Sequence, residues 1–364
     1  SGVRLEGDAG VTDGADGVQA ETVGDPCRTS GDCDDHEVCN GEERCDPSTG
    51  LCVAGSSLPD FTQCRSVDER IASCVAGRCD LDYEEICIPA GPFLMGVDID
   101  EAPDGFWLSH TVLPEWPKHV VTVSEYCIDR YEATNRRYRR CIDAGLCERP
   151  PEYGTCEDLD RPYVYADEFL DYPFYFAPLD RARQLCEFEG KRVPTEAEWE
   201  KAARGGCEFG ADPTSCDPGD ERMYPWGNDP PTAEHFQGWW SGVAGFAPVG
   251  SHPLGASPYG VMDMAGNVEE WTLDCDGIPD GGSVEEGTVG YLACRDGCTD
   301  PLSTCSNFVA AVTRGGHAYC VGASDDWEVR ATARANRGGL SGSWMLGFRC
   351  VRSPVTHNPG EGAP

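Results

Sequence analysis

Gly190-Lys191-Arg192-Val193-Pro194-Thr195-Glu196-Ala197-Glu198-Trp199-Glu200-Lys201-Ala202-Ala203-Arg204-Gly205 is the stretch on which the reading of this chain turns. Thr195 followed by Glu198 has the form of a capping box, in which a threonine side chain and a glutamate three residues on satisfy each other's backbone N–H. The spacing predicts a helix from there to Gly205, a residue suited to a helix end. Upstream, Pro178 predicts the opening of a second helix that ends by Gly190, and Thr134 caps a shorter one that stops near Gly145. Further back, His119-Val120-Val121-Thr122-Val123 alternates as a strand does, and Ile86 to Gly96 reads as a strand with a Pro-Ala-Gly turn. After Gly206 the chain is loop-rich, with many Gly, Pro and Trp and few helical periods.

The whole chain has 364 residues, enough for one large domain and a small one, and a net charge of −36. That excess repels phosphate backbones and anionic lipid, so nucleic acid is excluded as a partner. No apolar run is long enough to span a membrane. Twenty-two cysteines are present, and none of their short gaps has paired zinc-ligand spacing. A disulfide framework follows, which places the protein outside the cytoplasm, secreted or at the cell surface. The opening Ser1-Gly2-Val3 is expected to be that of a mature chain whose export signal has been removed.

Composition divides the chain in four. Residues 1–26 form an acidic, Gly-rich extension, expected to lie against its own domain or a neighbouring subunit, so self-assembly through it is one expectation. Residues 27–80 form a module in which bridges replace a core; it resembles the short cysteine-rich repeats of secreted bacterial and disintegrin-like proteins, and a spacer or adhesion role is expected. Residues 81–353 are the main domain and 354–364 a Pro/Gly tail.

The main domain resembles the formylglycine-generating enzyme (sulfatase-modifying factor) family. The motifs stand in that family's order: Ile88-Pro89-Ala90-Gly91-Pro92-Phe93-Leu94-Met95-Gly96, Ile128-Asp129-Arg130-Tyr131-Glu132-Ala133-Thr134-Asn135, the stretch quoted above, Tyr224-Pro225-Trp226-Gly227, Met264-Ala265-Gly266-Asn267-Val268-Glu269-Glu270-Trp271-Thr272, Arg314-Gly315-Gly316 and Gly347-Phe348-Arg349-Cys350. The resemblance implies an irregular α+β fold related to C-type lectins, with little regular secondary structure.

It also implies chemistry. That family oxidises a cysteine of sulfatases with copper(I) held by two thiolates. Cys320 falls on the first, but Asp325 and Asp326 occupy the region of the second, and a carboxylate is a hard, poor ligand for copper(I). Copper is therefore not expected, and Cys320 is expected to be bridged. Other relatives hold non-haem iron with histidines; His119, His235 and His317 are scattered here. Calcium is the expected metal, because the resemblance puts Asp263 and Glu270 as carboxylate ligands and Gly266 and Val268 as carbonyl donors, with Glu269 where an aromatic is usual. Cys186–Cys350 matches a family disulfide; Cys141–Cys147 and Cys207–Cys216 are expected as local pairs and Cys87–Cys127 as a bridge between strands. The function expected is that of a non-catalytic binding or structural protein, possessing a protein or glycan ligand on a surface through Asp325, Asp326, Trp327 and Arg337–Trp344. The alternative is a metal-dependent oxidoreductase of the same superfamily.

Overall fold

Cystine takes the place of an apolar core in the first part of the chain. The computed structural model describes residues 25–66, 68–98, 115–150, 166–210, 216, 222–238, 245–275, 297–302, 311–318, 328–337 and 345–354. The chain divides into two units, Ser1–Asp80 and Leu81–Pro364. In the first, β1 (Arg44–Asp46) pairs antiparallel with β2 (Leu51–Val53), and β3 (Gln63–Arg65) with β4 (Ile71–Val75). Such short hairpins cannot hold themselves together in water. Bridges Cys27–Cys45, Cys33–Cys52, Cys39–Cys74 and Cys64–Cys79 tie them. The buried apolar residues of this unit are mostly those cysteines, joined by Ala72.

The second unit is an α+β fold in which short strands and three short helices carry long irregular connections. The Pro-Ala-Gly turn does more than interrupt one strand. It separates β5 (Arg78–Ile88) from β6 (Gly91–Met95), which belong to different sheets. β6 pairs antiparallel with β7 (His119–Val123), while the Glu85–Ile88 end of β5 pairs antiparallel with β8 (Tyr126–Asp129). Pro89 cannot donate to a ladder, so the change of partner falls where pairing must lapse in any case. Cys87 stands opposite Cys127 in this register, and the two are bridged.

Helix α1 (Asn135–Asp143) is capped by Thr134 and followed by Gly145 at φ 75°. Helix α2 (Leu179–Phe188) starts after Pro178 and is followed by Gly190 at φ 67°. Helix α3 (Glu196–Arg204) has both bonds of its capping box: Thr195 Oγ1 accepts from Glu198 N at 3.2 Å, and Glu198 Oε2 accepts from Thr195 N at 2.8 Å.

A four-stranded sheet forms the frame of the remaining motifs. Its centre is β9 (Glu269–Cys275), and a further short strand, β10 (Cys298–Thr299), runs parallel to β7 elsewhere. β9 pairs antiparallel with β11 (Ala311–Arg314), which in turn pairs antiparallel with β12 (Arg334–Arg337), and on its other side β9 pairs parallel with β13 (Leu346–Gly347). β14 (Val351–Arg352) closes onto β8.

All nine residues of α3 are buried, five of them charged. Each charge is pinned by a partner, all but that of Glu198 outside the helix and its lead-in loop, which is how a polar helix can occupy an interior. Glu196 accepts two bonds from Arg334 at 2.7 and 2.9 Å, Glu198 pairs with Arg192, and Glu200 pairs with Arg204 and with Arg314. Lys201 Nζ donates to the carbonyls of Pro89 and Gly91, and Arg204 to those of Leu94 and Gly96. The helix is thus a hub between β6, β11 and β12. Apolar packing fills two further clusters, one around Tyr138, Phe174, Trp271 and Phe348, the other around Phe93, Val121, Trp199 and Met264.

Candidate functional site

The turn that enters β9 is built from three residues with left-handed backbone: Asp263 at φ 56°, Gly266 at φ 76° and Asn267 at φ 57°. At Gly266 a Cβ would stand 2.2 Å from the Gln237 carbonyl oxygen, so only glycine fits. Asn267 serves as the pin of the turn. Its N–H donates to Gln237 O at 2.8 Å, its Oδ1 accepts from Ala247 N at 3.0 Å, and its Nδ2 donates to Glu132 Oε2 at 2.6 Å.

Charge converges under this turn. Glu270 accepts from Arg349 Nη2 on Oε1 at 2.6 Å and from Arg349 Nε on Oε2 at 2.7 Å, and Trp199 Nε1 donates to the same Oε2 at 2.9 Å. Glu132 Oε1 accepts from Val268 N at 3.1 Å, and Asp263 Oδ2 from Gly250 N at 2.6 Å. All four charged side chains are buried. Burial pushes the Glu132 carboxyl well above its usual range, and repulsion from Asp263 and Glu270 adds to this against the pull of Arg349. Burial likewise raises Asp263 to about 6, with Glu270 adding to the rise and Gly250 N–H and Arg349 opposing it.

Of these three buried carboxyls, only Glu270 has its side chain bonded directly to the Arg349 guanidinium. Among the described residues Glu132, Asp263 and Glu270 are not one of the groups whose ligand atoms come within 4.8 Å of one another, so what recommends the donor set expected from sequence is the chemistry of its oxygens. Asp263 and Glu270 are hard oxygen donors of the kind calcium takes, and among the described residues no turn or loop backbone N–H donates to the Gly266 or Val268 carbonyl. Glu132 was not singled out from sequence. It stands in the Asp129–Asn135 motif, 135 residues from Asn267, and only the fold brings the two together.

A cleft opens beside the Arg314-Gly315-Gly316 turn, lined among others by Glu269, Thr313, His317, Glu328 and Arg337. Gly316 is at φ 66°, and a Cβ there would stand 2.9 Å from Glu328 O. Glu269 accepts from Thr313 Oγ1 and, at 2.9 Å, from Arg337 Nη2. Burial holds the His317 imidazole below its usual value, although Glu269 pulls the other way, so it is neutral at physiological pH. The arrangement offers a fixed ion pair, a hydroxyl and a neutral imidazole to whatever enters.

The other two histidines singled out from sequence are elsewhere. His119 sits in β7 with Nδ1 2.7 Å from Pro117 O, and His235 stacks on Trp226. Among the described residues these three do not assemble into a metal-ligand group. Cys186–Cys350, Cys141–Cys147 and Cys207–Cys216 are bridged, as is Cys87–Cys127. No described cysteine is free. Cys320, Asp325, Asp326, Trp327 and residues 338–344 lie outside the described residues, as does nearly all of the N-terminal extension. No described helix is long and apolar enough to cross a membrane.

An irregular α+β domain with a glycine-bent turn over buried carboxylates and a cleft beside an Arg-Gly-Gly turn defines the class. The profile described as the sulfatase-modifying factor enzyme 1-like domain matches residues 76–354, and the chain belongs to that family. Hercynine oxygenase of Mycolicibacterium smegmatis is 31% identical over 216 residues, covering 54% of this chain and 47% of that protein. The chain thus spans about half the length of the hercynine oxygenase it matches. Inactive C-alpha-formylglycine-generating enzyme 2 of Bos taurus is 28% identical, covering 51% of this chain and 68% of that protein. The formylglycine-generating enzyme of Thermomonospora curvata is 27% identical, covering 74% and 93%. PvdO from Pseudomonas aeruginosa shares the fold, with a TM-score of 0.53 at 21% identity over 82% of this chain and all of that one.

Proposed function

We propose that this chain is a non-catalytic, disulfide-stabilised extracellular protein that binds a polar protein or glycan ligand in the cleft beside Arg314-Gly315-Gly316. One observation carries the reading: the cleft holds Glu269, where the resemblance places an aromatic, and locks it to Thr313 and Arg337. A fixed carboxylate–guanidinium pair offers directional hydrogen bonds to polar groups. In sequence, Asp325 and Asp326 stand where the second thiolate of a copper(I) pair is expected. An inactive relative supports the reading, and the density of disulfides supports an oxidising compartment.

The test is oxygen uptake by the copper(I)-loaded full chain with a cysteine-containing sulfatase peptide, together with a thiol titration. Neither uptake nor a titratable thiol is expected; uptake that disappears in Cys320→Ser would reverse the proposal. On an oligosaccharide array, Arg337→Ala should lose whatever the unaltered chain retains.

Calcium is the second part of the proposal. Asp263 and Glu270, with the Gly266 and Val268 carbonyls, would hold it, and its charge would offset the crowded carboxylates beside Arg349. Stripping with chelator should lower the melting temperature, and Asp263→Asn should abolish that sensitivity at this turn.

The alternative, a metal-dependent oxidoreductase, draws on one feature: His317 lines the cleft together with Glu269 and Glu328. Iron retained after loading and lost in His317→Ala would favour it.

A further inference from the structure

In the first unit, Asp34, Asp35 and Glu43 each bring one carboxylate oxygen within 4.8 Å of the others. Asp34 is exposed, Asp35 intermediate and Glu43 buried. The only ion pair recorded for them among the described residues is His36 with Asp34 at 3.2 Å, both largely exposed. No described lysine or arginine neutralises the group.

Acidic clusters are common on surfaces of strongly acidic proteins. Glu43 separates this one from them. It is 7% exposed, and its Oε1 is buried with no hydrogen-bond partner. A carboxylate oxygen withdrawn from water and left unmatched is costly, and a fold retains it where something else completes its coordination. A second oxygen of the same module is in the same condition. Asn40 Oδ1 is buried without a partner, while its Nδ2 donates to Asp35 Oδ2 at 2.8 Å. The flanking cysteines hold the frame: Cys39 is bridged to Cys74 and Cys45 to Cys27, so the segment that carries Asn40 and Glu43 is tied at both ends.

We propose that Asp34, Asp35 and Glu43 bind a calcium ion in the first unit. Three clustered carboxylates are hard oxygen donors of the kind calcium takes, and calcium tolerates the irregular geometry that a disulfide-braced loop imposes. Magnesium, which demands near-octahedral coordination, fits such a loop less well. The site is separate in sequence from the turn at Asp263 and does not depend on that turn binding metal.

Isothermal titration of the chelator-stripped full chain with calcium chloride tests it, in the unaltered chain and in Glu43→Gln, Asp34→Asn and Asp263→Asn. Glu43→Gln and Asp34→Asn should each lose one bound calcium per chain, or weaken it by at least about tenfold. Asp263→Asn should keep it. Asp34 is exposed, so its variant tests the site even where Glu43→Gln impairs folding. Unchanged stoichiometry and affinity in both module variants overturns the proposal, and so does an unaltered chain that takes up only the calcium lost in Asp263→Asn. Loss in Asp263→Asn alone would uphold the turn and reject the module, so the two sites stand or fall separately.

Discussion

Gly266 decides the geometry of the turn at the scale of one residue. Its backbone is left-handed, and the space for a Cβ is taken by the Gln237 carbonyl. Gly266→Ala should therefore cost about 2 kcal/mol or more, from backbone strain and displacement of the 236–237 strand of chain. Urea unfolding of the variant measures it, and a loss below half that value would mean that the turn relaxes cheaply. The glycine was legible in sequence, because a Gly-Asn pair in a family motif marks a bent backbone. Glu132 was not. Its bonds to Asn267 and Val268 span more than a hundred residues, and no local periodicity reports a contact of that kind. The same holds for Trp199, whose indole N–H reaches Glu270 from another element.

At the scale of elements, α3 shows how a capping signal and a tertiary role coincide. Thr195 and Glu198 fix where the helix begins, a local matter that sequence reports directly. What the helix does with Glu196, Glu200, Lys201 and Arg204 is set by strands far away, so their burial could not be read from spacing alone. Glu200→Gln would leave Arg314 in the interior with its close carboxylate removed. A loss of about 3 kcal/mol is expected in chemical denaturation, against about 1 kcal/mol for removing the cap with Thr195→Ala. Equal effects of the two would contradict the hub role. The short strands β10, β13 and β14 have two residues each and no alternation to read, which is why they emerge only from the fold.

A second set of buried charges joins elements in the same way. Asp129 of β8 accepts from Arg137 of α1 at 2.7 Å and from Lys191 at 2.5 Å, and Lys191 also pairs with Glu85 of β5. Burial alone would raise the Asp129 carboxyl, but Arg137 and Lys191 overcome it and hold the group at about 2, below its ordinary 3.8. A depressed folded value contributes stability above the unfolded one and loses it as pH falls. The loss should run from about pH 4 down through pH 2, on the order of 2 kcal/mol. Denaturant midpoints at pH 5 and pH 2 should differ less in Asp129→Asn than in the unaltered chain; an equal difference would remove Asp129 from the acid response.

At the scale of the molecule, the two units hold themselves together by different means. The second unit has apolar clusters, and Cys186–Cys350 adds a tie across a sequence separation of 164 inside one of them. In the chain-entropy picture that bridge contributes about 4–5 kcal/mol. Replacing both cysteines by alanine should lower the unfolding free energy of this unit by an amount of that order, and a drop under about 1 kcal/mol would show that the apolar cluster carries the tie unaided. The first unit has no such reserve, since its interior is largely cystine. This has an evolutionary consequence. With the fold vested in the bridges, most side chains between them are free to drift, and selection can rewrite the surface of this unit without disturbing its frame. Its kin would be traceable by the intervals between cysteines long after residue-by-residue likeness has faded.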